Sequence, residues 1–368
     1  MKRRTLTGDE RKDWLRLSRT PNIGPITFFQ LLERFEGSAA KALDALPRLM
    51  KKGGGNRDLS APPKSAVDRE IDAAAKAGAR FIAACEPDFS PALTAVDPPP
   101  PLITVKGDAK LLHRPAIALV GARNASAVGR RMAKDLAHDL GQAGFLIVSG
   151  LARGVDGEAH AAAMATGTLA VLAGGIDQVY PPEHARLYDE IAARGAIVSE
   201  APVGYVAQAR DFPKRNRIIS GLSVACVVIE AAERSGSLIT ARSALEQGRE
   251  VMAVPGSPLD PRAAGANRLI KQGAALIENA DDVLRALEGM SAPKFDEPTW
   301  DRYEPRDTEI PPALLRAVRE ALSPTPTHVD EIVRVVDAPH RLVLAALAEL
   351  ELAGEAVTHT GGLASRAV

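Results

Sequence analysis

The chain has 368 residues, room for two or three domains, and 46% of them are apolar, enough for a substantial core. Lysine plus arginine and aspartate plus glutamate both number 46, so the net charge is zero; this excludes a globally basic nucleic-acid binder but not a local basic patch. Only two cysteines are present, Cys85 and Cys226, too far apart in sequence for a metal-type spacing, so neither a disulfide framework nor a zinc site is expected, and no cofactor is implied. The first twenty residues are charged rather than apolar, and no run approaches a membrane span, which reads as a cytoplasmic protein.

The N-terminal segment, residues 1–60, has helical spacing at Trp14, Leu15 and Leu17, then at Phe28, Phe29, Leu31, Leu32 and Phe35. Thr20-Pro21-Asn22-Ile23-Gly24-Pro25 interrupts it as a tight turn that opens a new helix at Ile26. Two short helices joined this way form either a helix-hairpin-helix unit, able to hold a DNA phosphate on backbone amides, or a plain helical corner. Lys51-Lys52-Gly53-Gly54-Gly55 is a flexible joint, and Pro98–Pro101 a stiff one within an extension, residues 61–115, that leads into the core.

Residues 116–288 have another rhythm. Ala116–Val120, Phe145–Ser149, Thr168–Leu172, Ala196–Ser199, Ala225–Ile229 and Glu250–Val254 are short apolar runs without alternation, most of them leading into helical patterns. Such strands predict a mainly parallel sheet covered on both faces, a doubly wound α/β domain. Ligands of these folds bind at the carboxyl ends of the strands.

Unusual residues gather at those ends. Gly121-Ala122-Arg123-Asn124 follows the first run, with a helix expected from Ser126. Ser149-Gly150-Leu151-Ala152-Arg153-Gly154-Val155-Asp156 follows the second, Gly174-Gly175-Ile176-Asp177 the third, and Glu230 with Ser235-Gly236-Ser237 the fifth. Helix starts opened by Gly and Ser offer unpaired amides and a positive dipole end, so this edge is expected to bind phosphate. Neither Gly-x-Gly-x-x-Gly nor Gly-x-x-x-x-Gly-Lys-Ser/Thr is present, which argues against an NAD site and an ATPase. Arg210, Lys214, Arg215 and Arg217 instead surround Phe212, and cations with an interleaved ring suit single-stranded nucleic acid.

The C-terminus is a separate module. Gly289–Pro312, with Trp300, reads as a linker. Within residues 313–368, helical spacing over Ala313–Leu322, Val329–Val335 and Arg341–Leu352, followed by Glu355–Thr358 and the Gly361-Gly362 turn, resembles a small winged helix. Its third helix has only Arg341 as a base and carries Glu349 and Glu351, so a protein-interaction role stands level with DNA binding.

The run from Gly121 to Asp282 resembles the DprA family, also called Smf, of bacterial DNA-processing proteins. The resemblance is carried by GAR at 121–123, SGLARGVDGEAH at 149–160, GGIDQVYPPEHARLY at 174–188 and FPKRNRIISGLS at 212–223. It continues in SGSLITA at 235–241, AVPG at 253–256 and GANRLIKQGA at 265–274. It implies a Rossmann-like core that binds single-stranded DNA, pairs into homodimers and helps load the RecA recombinase during natural transformation. Residue by residue, it places a phosphate-binding arginine on Arg123 and further contacts on Arg210, Phe212, Arg215 and Asn216. It puts the amide turn at Gly236 and Ser237 and another base at Lys271. Gly121, Arg153, Lys214 and Arg217 complete the expected DNA-binding set.

Asp156, His160, Glu183, His184 and Glu230 invite an acid–base reading, but turn-fixing roles are expected, with Asp156 and His160 positioned to bond one another and Asp177 as an N-cap. Related Rossmann-like families cleave nucleoside monophosphates with Pro-Gly-Gly-x-Gly-Thr-x-x-Glu. The corresponding turn here ends at Thr240, where the acid would stand, and a hydroxyl cannot replace a carboxylate as general acid/base. A binder is expected, not an enzyme.

Overall fold

The computed structural model describes residues 3–52, 60–288, 310–359 and 362–367; the joint at Gly53–Gly55, the linker residues 289–309 with Trp300, and Gly361 lie outside them. The described residues divide into two compact units. One holds the residues up to Arg69, Asp97–Leu102 and the C-terminal module; the other holds Glu70–Val96 and the residues from Ile103 through the central sheet.

The first unit begins with α1 (Gly8–Ser18), α2 (Pro25–Arg34) and α3 (Ala39–Lys52). Thr7 and Glu10 start α1 as a reciprocal capping box, and Pro25 starts α2 at a position that needs no amide donor. The apolar faces meet in a core of Trp14, Leu15, Leu17, Phe28, Leu31 and Leu32, with Trp14 and Phe28 edge-on at 5.1 Å. Helix α4 (Lys64–Lys76) carries the chain onward.

The second unit is a nine-stranded sheet built from β1 (Ala79–Ala83), then α5 (Pro91–Thr94), β2 (Leu102–Gly107), β3 (Ala116–Gly121), α6 (Ala127–Gln142), β4 (Leu146–Ser149) and α7 (Val155–Ala162). It continues through β5 (Thr168–Leu172), α8 (Ala185–Arg194), β6 (Ala196–Ser199), α9 (Asp211–Gly221), β7 (Ala225–Ile229) and α10 (Ser237–Glu246). It closes with β8 (Glu250–Ala253), α11 (Ala264–Lys271), β9 (Ala275–Leu276) and α12 (Ala280–Glu288). The spatial order is β1-β2-β6-β5-β4-β3-β7-β8-β9, with β2 antiparallel to β6 and the run from β6 to β9 parallel. Strands β3 to β7 bury nearly every side chain because helices cover both faces, hence the unbroken apolar runs.

The six expected strands are present, and β1, β2 and β9 add to them: the extension before residue 116 itself contributes two strands to the sheet. The chain leaves β3 for β4 on one side and, after β6, returns to β7 on the other. The carboxyl ends of β3 and β7 therefore flank the topological switch point, where a doubly wound sheet opens a crevice.

The C-terminal module contains α13 (Pro312–Ala321), β10 (Thr327–His328), α14 (Val329–Val336), α15 (His340–Leu352), β11 (Ala356–His359) and β12 (Leu363–Arg366). Its strands pair antiparallel in the order β10-β12-β11, completing a winged helix. Helix α15, the third of the module, packs against α2 and α3 within the same unit. The Thr27 hydroxyl, in the first turn of α2, donates to Glu351, and Arg34 pairs with Glu349 at 3.4 Å. The turn that sequence offered to a DNA phosphate thus faces a carboxylate.

Glu349 is only 5% exposed, and Arg34 is the cation paired with it. Arg34→Ala is expected to destabilise this unit by about 1–3 kcal/mol, less than for a fully buried pair because Arg34 is partly solvated. Glu349→Gln in the Arg34→Ala background should recover most of the loss in a urea-denaturation double-mutant cycle.

Candidate nucleic-acid interface

Helix α9 begins with the FPKRN stretch and runs under the crevice. Phe212, in its first turn, is half-buried and sits among cations and a second ring. The Arg123 guanidinium lies 4.9 Å from the ring centroid and that of Arg215 5.8 Å away. Tyr180, 53% exposed, meets Phe212 edge-on at 5.8 Å. Arg123 is exposed in the turn after β3, and among the described residues no carboxylate pairs with it.

A groove of about 870 Å³ opens here. Of the expected set it gathers Gly121, Arg123, Phe212, Arg215, Asn216, Gly236 and Ser237. A neighbouring cleft of about 630 Å³ shares Arg123, Tyr180 and Phe212 with it and adds Arg153. Sequence reasoning missed Asn124, Tyr180, Arg234 and Arg262 on these walls. Arg234 stands two residues before the Gly236-Ser237 turn, and its place in that loop was the available signal. Tyr180 lies within the 174–188 motif, but only folding shows that it meets Phe212.

The expected residues are not equivalent. Arg215 is 7% exposed and donates from Nη1 to the carbonyls of Gly150 and Val171, both at 2.7 Å. A Cβ on Gly150 would collide with that guanidinium, so any larger residue there would have to displace it. Burial pushes the Arg215 pKa down to about 10, still charged at neutral pH. Asn216 is also committed, donating to the Gly236 carbonyl at 3.3 Å. Arg217 donates from Nη2 to both carboxylate oxygens of Glu200, at 2.6 and 2.7 Å, and Arg153 pairs with Glu183. Arg210, Lys214, Arg217 and Lys271 do not line the groove.

The turns at the sheet edge differ as well. After β3, Ala122 and Ser126 donate their amides to the carbonyl and carboxylate of Glu230 at 2.8 and 2.7 Å. After β4, Gly150 and Ala152 donate theirs to Asp156, whose burial raises its pKa while Arg215 pulls it down. After β5, Gly175 donates to Tyr205, and Asp177 accepts from Gly204 at 2.7 Å: Asp177 ties two loops and caps no helix. Before α10, the Gly236 amide has no acceptor among the described residues, and Ser237 is 3.4 Å from the Ser235 hydroxyl, a weak bond. This last turn therefore leaves the Gly236 amide available to an anion.

His160 does not bond Asp156 but accepts from the Leu151 amide at 3.3 Å and shares a 2.7 Å bond with Thr168. Burial holds its pKa at about 3, with His184 and Arg215 adding to the effect, so the ring is neutral.

The fold and groove define a class: a Rossmann-like protein with a cation, a ring and an open amide turn at the switch point of its sheet. The chain belongs to the DprA/Smf family. The model of DNA recombination-mediator protein A matches residues 80–288, the DprA-like N-terminal HHH domain residues 8–73, and the DprA winged helix domain residues 303–362. Protein Smf of Escherichia coli (strain K12) is 39% identical over 312 residues, covering 83% of this chain and 82% of that protein. DNA processing protein DprA of Bacillus subtilis (strain 168) is 46% identical over 198 residues, 53% of this chain and 67% of that protein. The DprA structure from Streptococcus pneumoniae superposes with a TM-score of 0.65 at 30% identity, covering 77% of this chain and 98% of that one. A structure of DNA processing protein A from Helicobacter pylori, described for its single-stranded DNA binding mode, has a TM-score of 0.53 at 28% identity and covers 57% and 96%.

Proposed function

We propose that the chain binds single-stranded DNA along the groove at the β3–β7 switch point, as a non-enzymatic recombination mediator. The observation that carries this reading is Arg123 stacked over Phe212 beside the open Gly236-Ser237 turn. A cation and an amide turn hold successive phosphates, and the ring offers a face to any base. The Helicobacter pylori relative, with its single-stranded DNA binding mode, supports the choice of ligand.

Chemistry in the groove weighs against the nucleotide-hydrolase alternative. Thr240 is buried and supplies no carboxylate, and His160 is a neutral, fully buried ring. Incubation with nucleoside monophosphates should release no free base.

On this reading the bound strand is protected and passed to RecA during transformation, a step for which the family description, recombination mediator, gives support. The protein works in the cytoplasm, and two copies pair. The sheet ends at β9, where Leu276 is 47% exposed, and that edge is the proposed place of pairing. Among the described residues no helix is long and apolar enough to cross a membrane.

Fluorescence anisotropy with single strand, duplex and mononucleotide at two salt concentrations tests the binding. The log–log salt slope for single strand should be about −0.7 per neutralised phosphate. Arg123→Ala should flatten it by about that amount, and Phe212→Ala should weaken binding by roughly 1–3 kcal/mol. Equal affinity for mononucleotide and oligonucleotide would overturn the reading in favour of a nucleotide-sensing scaffold.

A further inference from the structure

In a doubly wound sheet the amino end of the helix after the first switch-point strand is the usual seat of a cofactor phosphate. Here that helix is α6, and a carboxylate of the protein already holds the amide of its N-cap residue, Ser126. Glu230 follows β7 directly, with a left-handed backbone (φ 55°) that few residues bearing a side chain adopt. From there its Oε2 accepts the Ser126 amide at 2.7 Å. Gly129, in the first turn of α6, leaves the necessary room, because a Cβ there would collide with the carboxylate. Its amide goes to the Ser126 hydroxyl at 2.9 Å. On the other side Arg262 lies 3.4 Å from Oε1 and is itself held by Asp260 at 2.8 Å. The Glu230 side chain is 10% exposed.

We propose that Glu230 is a built-in anion that occupies the α6 phosphate seat and so makes the protein reject mononucleotides and dinucleotide cofactors. A phosphate entering the seat would meet a fixed negative charge on the amide it needs. Glu230 and Asp260 together offset Arg262, so that this arginine, although on the groove wall, adds little attraction. The open side of the crevice, between Arg123 and Ser237, is left to hold phosphate, and it is a groove along which a chain can lie rather than a closed pocket. The selectivity for a polymer rests on the single-strand reading above; the occupied seat does not.

Glu230→Ala and Glu230→Gln in the full chain, titrated by calorimetry with inorganic pyrophosphate and separately with a thymidine oligonucleotide, test this, with thermal unfolding as the check on folding. Emptying the seat should tighten pyrophosphate binding about tenfold over wild type, the scale of a partly buried helix-end interaction. Glu230→Gln removes the charge but keeps an acceptor for Ser126, and should give a smaller gain. Pyrophosphate binding unchanged in a folded Glu230→Ala protein would overturn the proposal. If that variant does not fold, an unchanged Glu230→Gln overturns it equally. A pyrophosphate gain without oligonucleotide binding by any of the proteins would instead sink the single-strand reading and leave the occupied seat standing.

Discussion

Arg215→Ala is expected to lower the unfolding free energy by about 3–5 kcal/mol, read as a fall in the urea midpoint at unchanged slope. The residue lies in the family's basic motif, yet its guanidinium faces inward. Nη1 bridges the carbonyl of Gly150, just past β4, to that of Val171 in β5, tying the carboxyl ends of two neighbouring strands together. Its charge also stabilises the buried Asp156 carboxylate, which in turn gathers the Gly150 and Ala152 amides. Removing the guanidinium would strand both carbonyls and a buried acid. Arg215→Lys should recover only part of the loss, because an ammonium is more strongly hydrated and costs more to bury. Arg123→Ala, at an exposed position, should stay within about 0.5 kcal/mol of wild type. The two variants thus separate fold from binding. An Arg215→Ala protein with wild-type stability and weakened DNA affinity would return Arg215 to the groove as a phosphate cation.

The second large effect is acid lability centred on His160. Its pKa falls from the ordinary 6.5 to about 3 on folding, so between those values the unfolded chain takes up a proton that the folded one refuses. The contribution is fully present above pH 6.5 and is lost as the pH falls towards 3. At 1.36 kcal/mol per unit its full size is on the order of 4–5 kcal/mol. Asp156 acts in the opposite direction, because its raised pKa means that protonation above 3.8 favours the folded state. His160→Gln should therefore leave a flatter dependence of unfolding free energy on pH between about 6 and 4. The comparison with wild type isolates the histidine, since Asp156 is common to both. Parallel pH profiles for the two proteins would show that His160 is protonated in the folded state.

Much of the central fold was legible because each parallel strand is a local apolar run ended by a turn. The runs read at 116–120, 168–172, 196–199 and 225–229 match β3, β5, β6 and β7 to within a residue. Strands β1 and β2 were not read, since ARFIA and LITVKG are short and flank a proline-rich joint that suggests extended chain. The groove was half legible. Arg123, Phe212, Gly236 and Ser237 could be named from motif and turn chemistry alone, and Arg234 could have been from its place beside that turn, whereas the meeting of Tyr180 with Phe212 needed the fold.

What the sequence determined by itself was the order of elements, the doubly wound class and the family, all written in local patterns and motif order. Which cations and amides remain available to a ligand was decided only by the tertiary structure. With Lys+Arg and Asp+Glu equal at 46 each, the totals do not say which cations are neutralised, and folding chooses which charges meet. It brought Glu230 to Ser126 across 104 positions, Glu200 to Arg217 and Glu183 to Arg153, and it turned Arg215 onto two carbonyls. Arg123 and the Gly236 amide were left facing the groove. Because an ion pair or hydrogen bond acts over only a few ångströms, that selection depends on neighbours in space, which sequence distance does not encode.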